Sequence, residues 1–125
     1  MKKVTGIGGI FFKSQNPEQL REWYKQHLGI NSESWGTIFQ WRDLDDPQKE
    51  GYTVWSPFKQ ETTYFDPSDK QFMINFRVDN LEQLLDALRQ EGVTVMPNVE
   101  ESEFGKFGWI IDNEGNKIEL WEPPA

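Results

Sequence analysis

The chain has 125 residues, enough for one domain with one hydrophobic core. Its formal charge is −8 and its pI is about 4.6, which argues against a nucleic-acid partner, because such binding depends on clustered lysine and arginine. Cysteine is absent, which excludes disulfides, a thiol nucleophile and thiolate metal ligands. The sequence shows neither a signal-peptide pattern nor an apolar stretch long enough for a membrane span. We therefore expect a cytoplasmic protein that does not bind membranes.

The first half of the chain predicts a strand, a helix and further strands. Residues 6–12 are apolar and β-prone over a length typical of a strand. Asn16 can then cap a helix, because its side chain can accept a hydrogen bond from the first helical turn. The apolar face of that helix consists of Leu20, Trp23, Tyr24 and Leu28. Strands are expected at residues 37–42 and 52–55, and residues 31–35 are a weaker candidate.

The second half predicts the same order of elements. Residues 72–78 resemble a strand, and Asn80 can cap the helix that follows. The apolar face of this helix consists of Leu81, Leu84, Leu85 and Leu88. Three more strands are expected, at residues 93–96, 107–111 and 117–121. One domain therefore contains a first module at about residues 4–58, a linker at about 59–70 and a second module at about 71–122.

The two modules also share an internal sequence repeat. Residues 10–20 align without a gap to residues 74–84, at a constant shift of 64. Within this alignment Ile, Phe, Asn, Glu, Gln and Leu recur identically, and Lys13 corresponds to Arg77. So many matches without a gap favour two copies of one βαβββ unit.

Three segments resemble a known family. Residues 22–30 are similar to its "FY…LG" helix end, residues 112–120 are similar to its "D-P-x-G-N-x-I-E-L" turn and last strand, and Val78-Asp79 precedes the second helix as is usual there. On these motifs and the repeat, the chain resembles the glyoxalase/bleomycin-resistance/dioxygenase superfamily, also called vicinal oxygen chelate. The resemblance implies an α+β fold in which two βαβββ modules form an open, barrel-like cleft. It also implies a homodimer.

Members of this family often hold a divalent metal through matching positions on the first and last strands of each module. By the 64-residue shift these positions fall at Gly9, Met73, Trp55 and Glu119, with Thr53 as the alternative to Trp55. Only Glu119 is a usual ligand for such metals, which prefer His nitrogen or carboxylate oxygen. We therefore expect neither the four-ligand metal site nor any other cofactor. His27, the only histidine, is expected to have a structural or surface role near a helix end.

Glu119 is the main candidate for chemistry. By strand alternation it shares a face with Trp121 and lies opposite Ile118 and Leu120, on the face that lines the cleft in the family. A carboxylate beside aromatic rings should have a raised pKa and could act as a general base or anchor a ligand. Equally, it could be satisfied by Arg77 or by a backbone amide.

Two functions follow from these residues and the resemblance. In the first, the protein binds a small molecule without a metal, in a cleft lined by aromatic and apolar residues. The expected ligand-binding residues are Trp41, Trp55, Met73, Phe76, Trp109, Glu119 and Trp121. The acidic composition would suit a cationic ligand, and cation–π contacts with tryptophan would add to its binding. In the alternative, the chain is a divergent lyase, isomerase or dioxygenase-type enzyme that uses Glu119 as its catalytic base.

Overall fold

The computed structural model describes residues 3–125, which form two helices and eight strands in an open mixed sheet. This confirms the expected α+β class. In these residues no helix is long and apolar enough to cross a membrane. In chain order the elements are β1 (Val4–Ser14), α1 (Pro17–Leu28), β2 (Thr37–Arg42), β3 (Glu50–Lys59), β4 (Phe72–Val78), α2 (Leu81–Gln90), β5 (Thr94–Val95), β6 (Glu100–Ser102), β7 (Gly105–Ile111) and β8 (Lys117–Glu122).

The two modules join through their first strands. The sheet order is β2-β3-β1-β4-β8-β7-β5, and β6 pairs with β7 beside this path. β1 and β4 run antiparallel with Ile10 opposite Ile74, the two residues that the 64-residue repeat makes equivalent. Gly9 lies opposite Asn75, and Phe11 lies opposite Met73. The 64-residue shift converts each of these two pairs into the other. The modules therefore pair within this chain, about a pseudo-twofold axis between Ile10 and Ile74, which confirms the repeat.

The last strands of the modules follow a slightly different shift. β3 lies parallel to β1 with Ser56 opposite Phe11, and β8 lies parallel to β4 with Glu119 opposite Asn75. Since Phe11 and Asn75 are equivalent, the counterpart of Glu119 is Ser56. The sequence mapping that placed Trp55 there is wrong by one residue. A slip of one residue in a strand moves a side chain to the opposite face of the sheet.

The strands after the helices are not equal in the two modules. The weak candidate at residues 31–35 does not form a strand, and only an isolated bridge between Glu33 and Gly36 occurs there. In the second module the corresponding region contains the short strands β5 and β6, both paired with β7. β3 is longer than expected and continues through residues 56–59, so the connection to β4 begins only after Lys59.

Helix α2 covers the outer face of the second module. The side chain of Asn80 accepts a hydrogen bond from the backbone N–H of Gln83 at 3.1 Å, which caps the helix as predicted. Three leucines of α2 are buried against the sheet: Leu81, Leu84 and Leu85. They form a core with Val78 and Leu120, against which Phe76 packs. The even-numbered residues of β8 therefore face this helix.

Helix α1 covers the outer face of the first module much less completely. Asn16 caps it through the backbone N–H of Gln19, at 3.1 Å, yet the helix contains no buried residue. Tyr24 packs on Trp55 of β3 with the ring centroids 4.8 Å apart. Trp23 remains 52 % exposed. The first module thus leaves apolar surface uncovered where the second buries it.

A second core fills the inner, concave face of the sheet. Its buried members are Phe11, Phe65, Met73 and Trp109. Phe65 has no exposed surface, although it belongs to the connection between β3 and β4 that the sequence indicated as a linker. This connection therefore folds back over one end of the concave face and contributes side chains to it.

Candidate functional site

Glu119 lies on the concave face of β8. Its neighbours Ile118 and Leu120 pack in the core beneath α2, while Glu119 and Trp121 line a cavity on the other face. This confirms the alternation predicted from the sequence. Glu119 is only 2 % exposed. A carboxylate buried to this extent needs hydrogen-bond donors around it.

Three side chains supply those donors. Asn75 donates its amide N–H to Oε1 of Glu119 at 2.6 Å. The indole of Trp109 donates to Oε2 at 3.0 Å, and the hydroxyl of Tyr64 donates to the same oxygen. The partner suggested from the sequence, Arg77, is wrong, because its guanidinium instead bonds to Thr5, to the carbonyl of Glu50 and to Asp43.

Burial has the largest effect on the pKa of Glu119. It raises the pKa of the Glu119 carboxyl above its ordinary 4.5, while the hydrogen bonds from Tyr64, Asn75 and Trp109 act in the opposite direction. Burial and the charge of Glu119 raise the pKa of Tyr64 well above its usual range, so this phenol stays protonated and remains a donor. Burial lowers the pKa of the Lys117 ammonium, which donates to the Tyr64 carbonyl at 2.8 Å.

A cavity of about 660 Å³ opens beside Glu119, within the size range of small-molecule sites. Its lining is mostly aromatic and aliphatic, with Asn75 and Glu119 as polar groups at the wall. The exposed rings of Trp35 and Phe104 also line it, at 53 % and 63 % exposure. The other lining residues are Gly8, Phe11, Ile38, Tyr52, Val54, Phe107 and Trp121. A small, largely apolar molecule could be enclosed here with one polar group beside Glu119.

The structure brings only some of the predicted ligand-binding residues to this site. Glu119 and Trp121 line the cavity, and Trp109 and Met73 are buried next to it in the concave core. The placement of the other three in the cleft is wrong. Phe76 packs against the core beneath α2, and Trp55 packs on Tyr24 of α1. The indole N–H of Trp41 donates to the hydroxyl of Thr53, and the guanidinium of Arg77 lies over the Trp41 ring, at the edge of the first module.

Two residues that donate hydrogen bonds to Glu119 were missed, Asn75 and Tyr64. Asn75 could have been found, because it lies two residues after Met73 in the same strand and so shares its face. Tyr64 lies in the irregular connection, where no periodic pattern indicates which way a side chain points. Only the tertiary structure brings its hydroxyl to Glu119.

The residues do not fit the divalent metal that this type of cleft often holds. The positions mapped from the sequence were Gly9, Met73, Glu119 and either Trp55 or Thr53, and pseudo-symmetry moves the counterpart of Glu119 to Ser56. The first-strand residues directly opposite Ser56 and Glu119 are Phe11 and Asn75. Phe11 is apolar, and Ser56 donates its hydroxyl to the carbonyl of Trp35 at 2.5 Å. Within residues 3–125 no group of three or more His, Asp or Glu side chains could hold a metal ion. One carboxylate and one amide are fewer ligands than such ions require.

His27 lies outside this site. Its ring packs against that of Trp23 on α1, with the centroids 4.8 Å apart. This contact agrees with the structural or surface role expected from the sequence.

Comparison with known proteins shows the fold. No family model and no curated protein matches the sequence. Among solved structures, a methylmalonyl-CoA epimerase (Q60A) from Streptomyces coelicolor in complex with 2-nitronate-propionyl-CoA is similar with a TM-score of 0.70 and 16 % identity, over 98 % of this chain and 99 % of that one. The methylmalonyl-CoA epimerase from Mycobacterium tuberculosis has a TM-score of 0.63 and 18 % identity, over 100 % and 92 %.

A third similar structure is a glyoxalase/bleomycin resistance protein/dioxygenase superfamily member from Vibrio splendidus 12B01. It has a TM-score of 0.59 and 9 % identity, over 93 % of this chain and 97 % of that one. All three cover nearly the whole chain. The protein therefore has the fold of the glyoxalase/bleomycin-resistance/dioxygenase (vicinal oxygen chelate) superfamily.

Proposed function

We propose that this protein binds a small, largely apolar organic cation in the cavity beside Glu119, without a metal ion. The single observation that carries this proposal is a buried carboxylate at the wall of an otherwise mostly apolar cavity. None of the described residues that line the cavity is a lysine or an arginine. The charge of Lys117 acts on Glu119, but Lys117 donates its hydrogen bond to the Tyr64 carbonyl and is not among the lining residues. A buried negative charge without a cation at the cavity wall favours a positively charged ligand.

The hydrogen bonds of Glu119 leave room for such a ligand. Oε2 accepts two hydrogen bonds, from Tyr64 and Trp109, whereas Oε1 accepts one, from Asn75. A carboxylate oxygen can accept two, so Oε1 retains one acceptor position. The rings of Trp121 and Trp35 are suited to cation–π contacts with the same ligand. The net charge of −8 would also attract cations to the protein.

The ligand class of the epimerase structures does not transfer readily to this chain. One of them was solved with 2-nitronate-propionyl-CoA, whose CoA portion carries several phosphate charges. Binding of such polyanions relies on arginine, lysine or a helix N-terminus. With a carboxylate and no described basic residue in its lining, the cavity here favours the opposite charge.

General-base catalysis by Glu119 is the second candidate function. The raised pKa of the buried carboxyl favours it. Against it, three hydrogen bonds already stabilise the carboxylate, and a carboxylate stabilised in this way is a weaker base. This arrangement supports a role as a fixed anion that anchors a ligand more than a role as a proton acceptor.

Three probes with the same phenyl ring test the charge preference: 2-phenylethylammonium, neutral 2-phenylethanol and anionic 3-phenylpropionate. Each is titrated into the chelator-treated protein, with tryptophan fluorescence and the melting temperature as readouts. We expect the cation to bind most tightly and Glu119→Gln to weaken its binding by about tenfold or more, the equivalent of one charge-assisted hydrogen bond.

Glu114→Gln is the matched control, because it makes the same chemical change at an exposed turn between β7 and β8. It should leave the affinity for the cation unchanged. Tighter binding of the anion than of the cation, or equal cation binding by Glu119→Gln and the wild type, would contradict the proposal.

A further inference from the structure

The amide nitrogen of Asn75 donates a hydrogen bond, whereas its amide oxygen has no partner among the described residues. Its N–H bonds to Oε1 of Glu119, at 2.6 Å. Its oxygen, Oδ1, is buried and has no hydrogen-bond partner among the described residues. Asn75 as a whole is only 3 % exposed and lines the cavity together with Glu119. A buried acceptor without a donor is unfavourable, which identifies it as a place where a donor should bind.

Gly8 explains how this oxygen is positioned at the cavity wall. β1 has an irregular register between Ile7 and Gly9, opposite Asn75 on β4. A Cβ atom at residue 8 would lie 2.3 Å from Oδ1 of Asn75 and 3.0 Å from Cε3 of Trp121. Gly8 also lines the cavity. The missing side chain therefore leaves the space that this orientation of the amide needs.

The hydrogen bond to Glu119 also fixes which end of the amide is free. A carboxylate accepts only, so it selects the N–H end of Asn75 and leaves the oxygen unbonded. Asn75 and Glu119 are direct neighbours across the parallel pair of β4 and β8. Asn75 and Glu119, which both line the cavity, thus hold two acceptor positions without a donor: Oδ1 of Asn75 and the remaining position of Oε1.

Resting on the proposed function, we propose that Asn75 Oδ1 accepts a hydrogen bond from the ligand, so that the site selects cations with N–H groups. Primary and secondary ammonium ions and amidinium ions belong to this class. A quaternary ammonium ion has the same charge but no N–H, so it can satisfy Glu119 through charge while it leaves Oδ1 unpartnered. The charge of Glu119 attracts the cation, and Asn75 distinguishes which cation is bound.

The test compares 2-phenylethylammonium with its N,N,N-trimethyl analogue by isothermal titration calorimetry at pH 8. The two probes share the ring, the linker and the charge. We expect the wild type to bind the primary ammonium about tenfold or more tightly than the trimethyl analogue. Asn75→Leu, which keeps a similar shape without hydrogen-bonding groups, should lower this ratio. The primary ammonium can still donate to Glu119 in this variant, so the fall in the ratio from wild type to variant measures the contribution of the oxygen.

Gly8→Ala is a second variant with the same expected result. It keeps Asn75 and its amide but introduces the Cβ that conflicts with Oδ1, so it should also lower the ratio. The wild-type affinities can still overturn the inference where a variant does not fold. Equal affinity of the wild type for the two cations overturns this inference and leaves the proposed function standing. Binding of neither cation overturns both.

Discussion

Replacement of Tyr64 by Phe tests whether the connection between β3 and β4 controls the charge of Glu119. The change removes one hydroxyl and keeps the ring, which stacks on Phe58 with the centroids 5.8 Å apart. The hydroxyl donates to Oε2 of Glu119, and this hydrogen bond lowers the pKa of the carboxyl. Its loss should therefore raise the pKa of Glu119 further above its ordinary value.

The size of the effect follows from the kind of hydrogen bond that is lost. A hydrogen bond to a charged group contributes about 1.5–3 kcal/mol. One pKa unit corresponds to about 1.4 kcal/mol, so the pKa of Glu119 should rise by about 1–2 units in Tyr64→Phe. The free energy of unfolding should fall by about 1.5–3 kcal/mol at pH values where Glu119 is charged in both proteins. The difference should shrink as the pH falls.

The sign of this pH dependence comes from the raised pKa. Burial makes the folded protein bind the Glu119 proton more tightly than the unfolded chain does, so this group stabilises the fold least when it is ionised. Its contribution declines as the pH rises through the folded-state pKa. The difference in free energy of unfolding between wild type and Tyr64→Phe should therefore grow over the pH range that separates the two pKa values of Glu119, both above 4.5.

The assay is a pH titration of the Glu119 side-chain carboxyl carbon by NMR, with urea unfolding at each end of the range. Tyr52→Phe is the matched control, because Tyr52 lines the same cavity but is not among the donors to Glu119. It should leave the Glu119 titration unchanged. An unchanged or lowered pKa of Glu119 in Tyr64→Phe would refute the reasoning.

Three further predictions concern the core, the metal and the assembly. Phe65→Ala should lower the free energy of unfolding by about 3–5 kcal/mol and the melting temperature by about 10–20 °C. Leu44→Ala, at a residue 94 % exposed, should change the melting temperature by about 1 °C or less. Similar melting temperatures of the two variants would show that the connection does not complete the core. Chelators and added Ni²⁺, Zn²⁺ or Mn²⁺ should change neither stability nor ligand affinity, and stoichiometric metal bound through Glu119 would contradict this. We expect a homodimer, because Val4, Ile7, Ile10 and Phe72 on the central strands are 39–46 % exposed; sedimentation at micromolar concentration that gives only the 14.7 kDa chain would refute it.

The sequence was most informative where local pattern and repeat agree. Asn16 and Asn80 cap their helices through the backbone N–H groups of Gln19 and Gln83, as predicted. The repeat located the pseudo-twofold axis, because Ile10 lies opposite Ile74. Alternation within β8 correctly gave the face of Glu119, since it requires no knowledge of a partner strand.

Errors arose where the register between strands decided the face. Phe76 and Met73 are three residues apart in one regular strand, so they point to opposite sides, and only Met73 can face the cleft. Trp55 was misplaced because the shift between β3 and β8 is one residue shorter than the shift between β1 and β4. A hydrophobic pattern read along one strand does not reveal such a slip.

The strand predicted at residues 52–55 stops before Pro57, whereas β3 continues past this proline. Beyond Trp55, β3 is paired only with β1, since its pairing with β2 ends there. Proline is tolerated in a strand with an unpaired edge, where its missing N–H costs no ladder hydrogen bond. The strand therefore continues to Lys59, and the shorter connection then brings Tyr64 to Glu119.

The affinity of 2-phenylethylammonium as a function of pH tests the central claim most directly. If the ionised Glu119 carboxyl anchors the cation, the dissociation constant should fall as the pH rises through the pKa of Glu119 and become constant above it. Glu119→Gln should bind more weakly and show no such dependence. A wild-type dissociation constant that does not change across the pH range in which Glu119 is seen to titrate by NMR, or the same pH dependence in Glu119→Gln, would contradict the account.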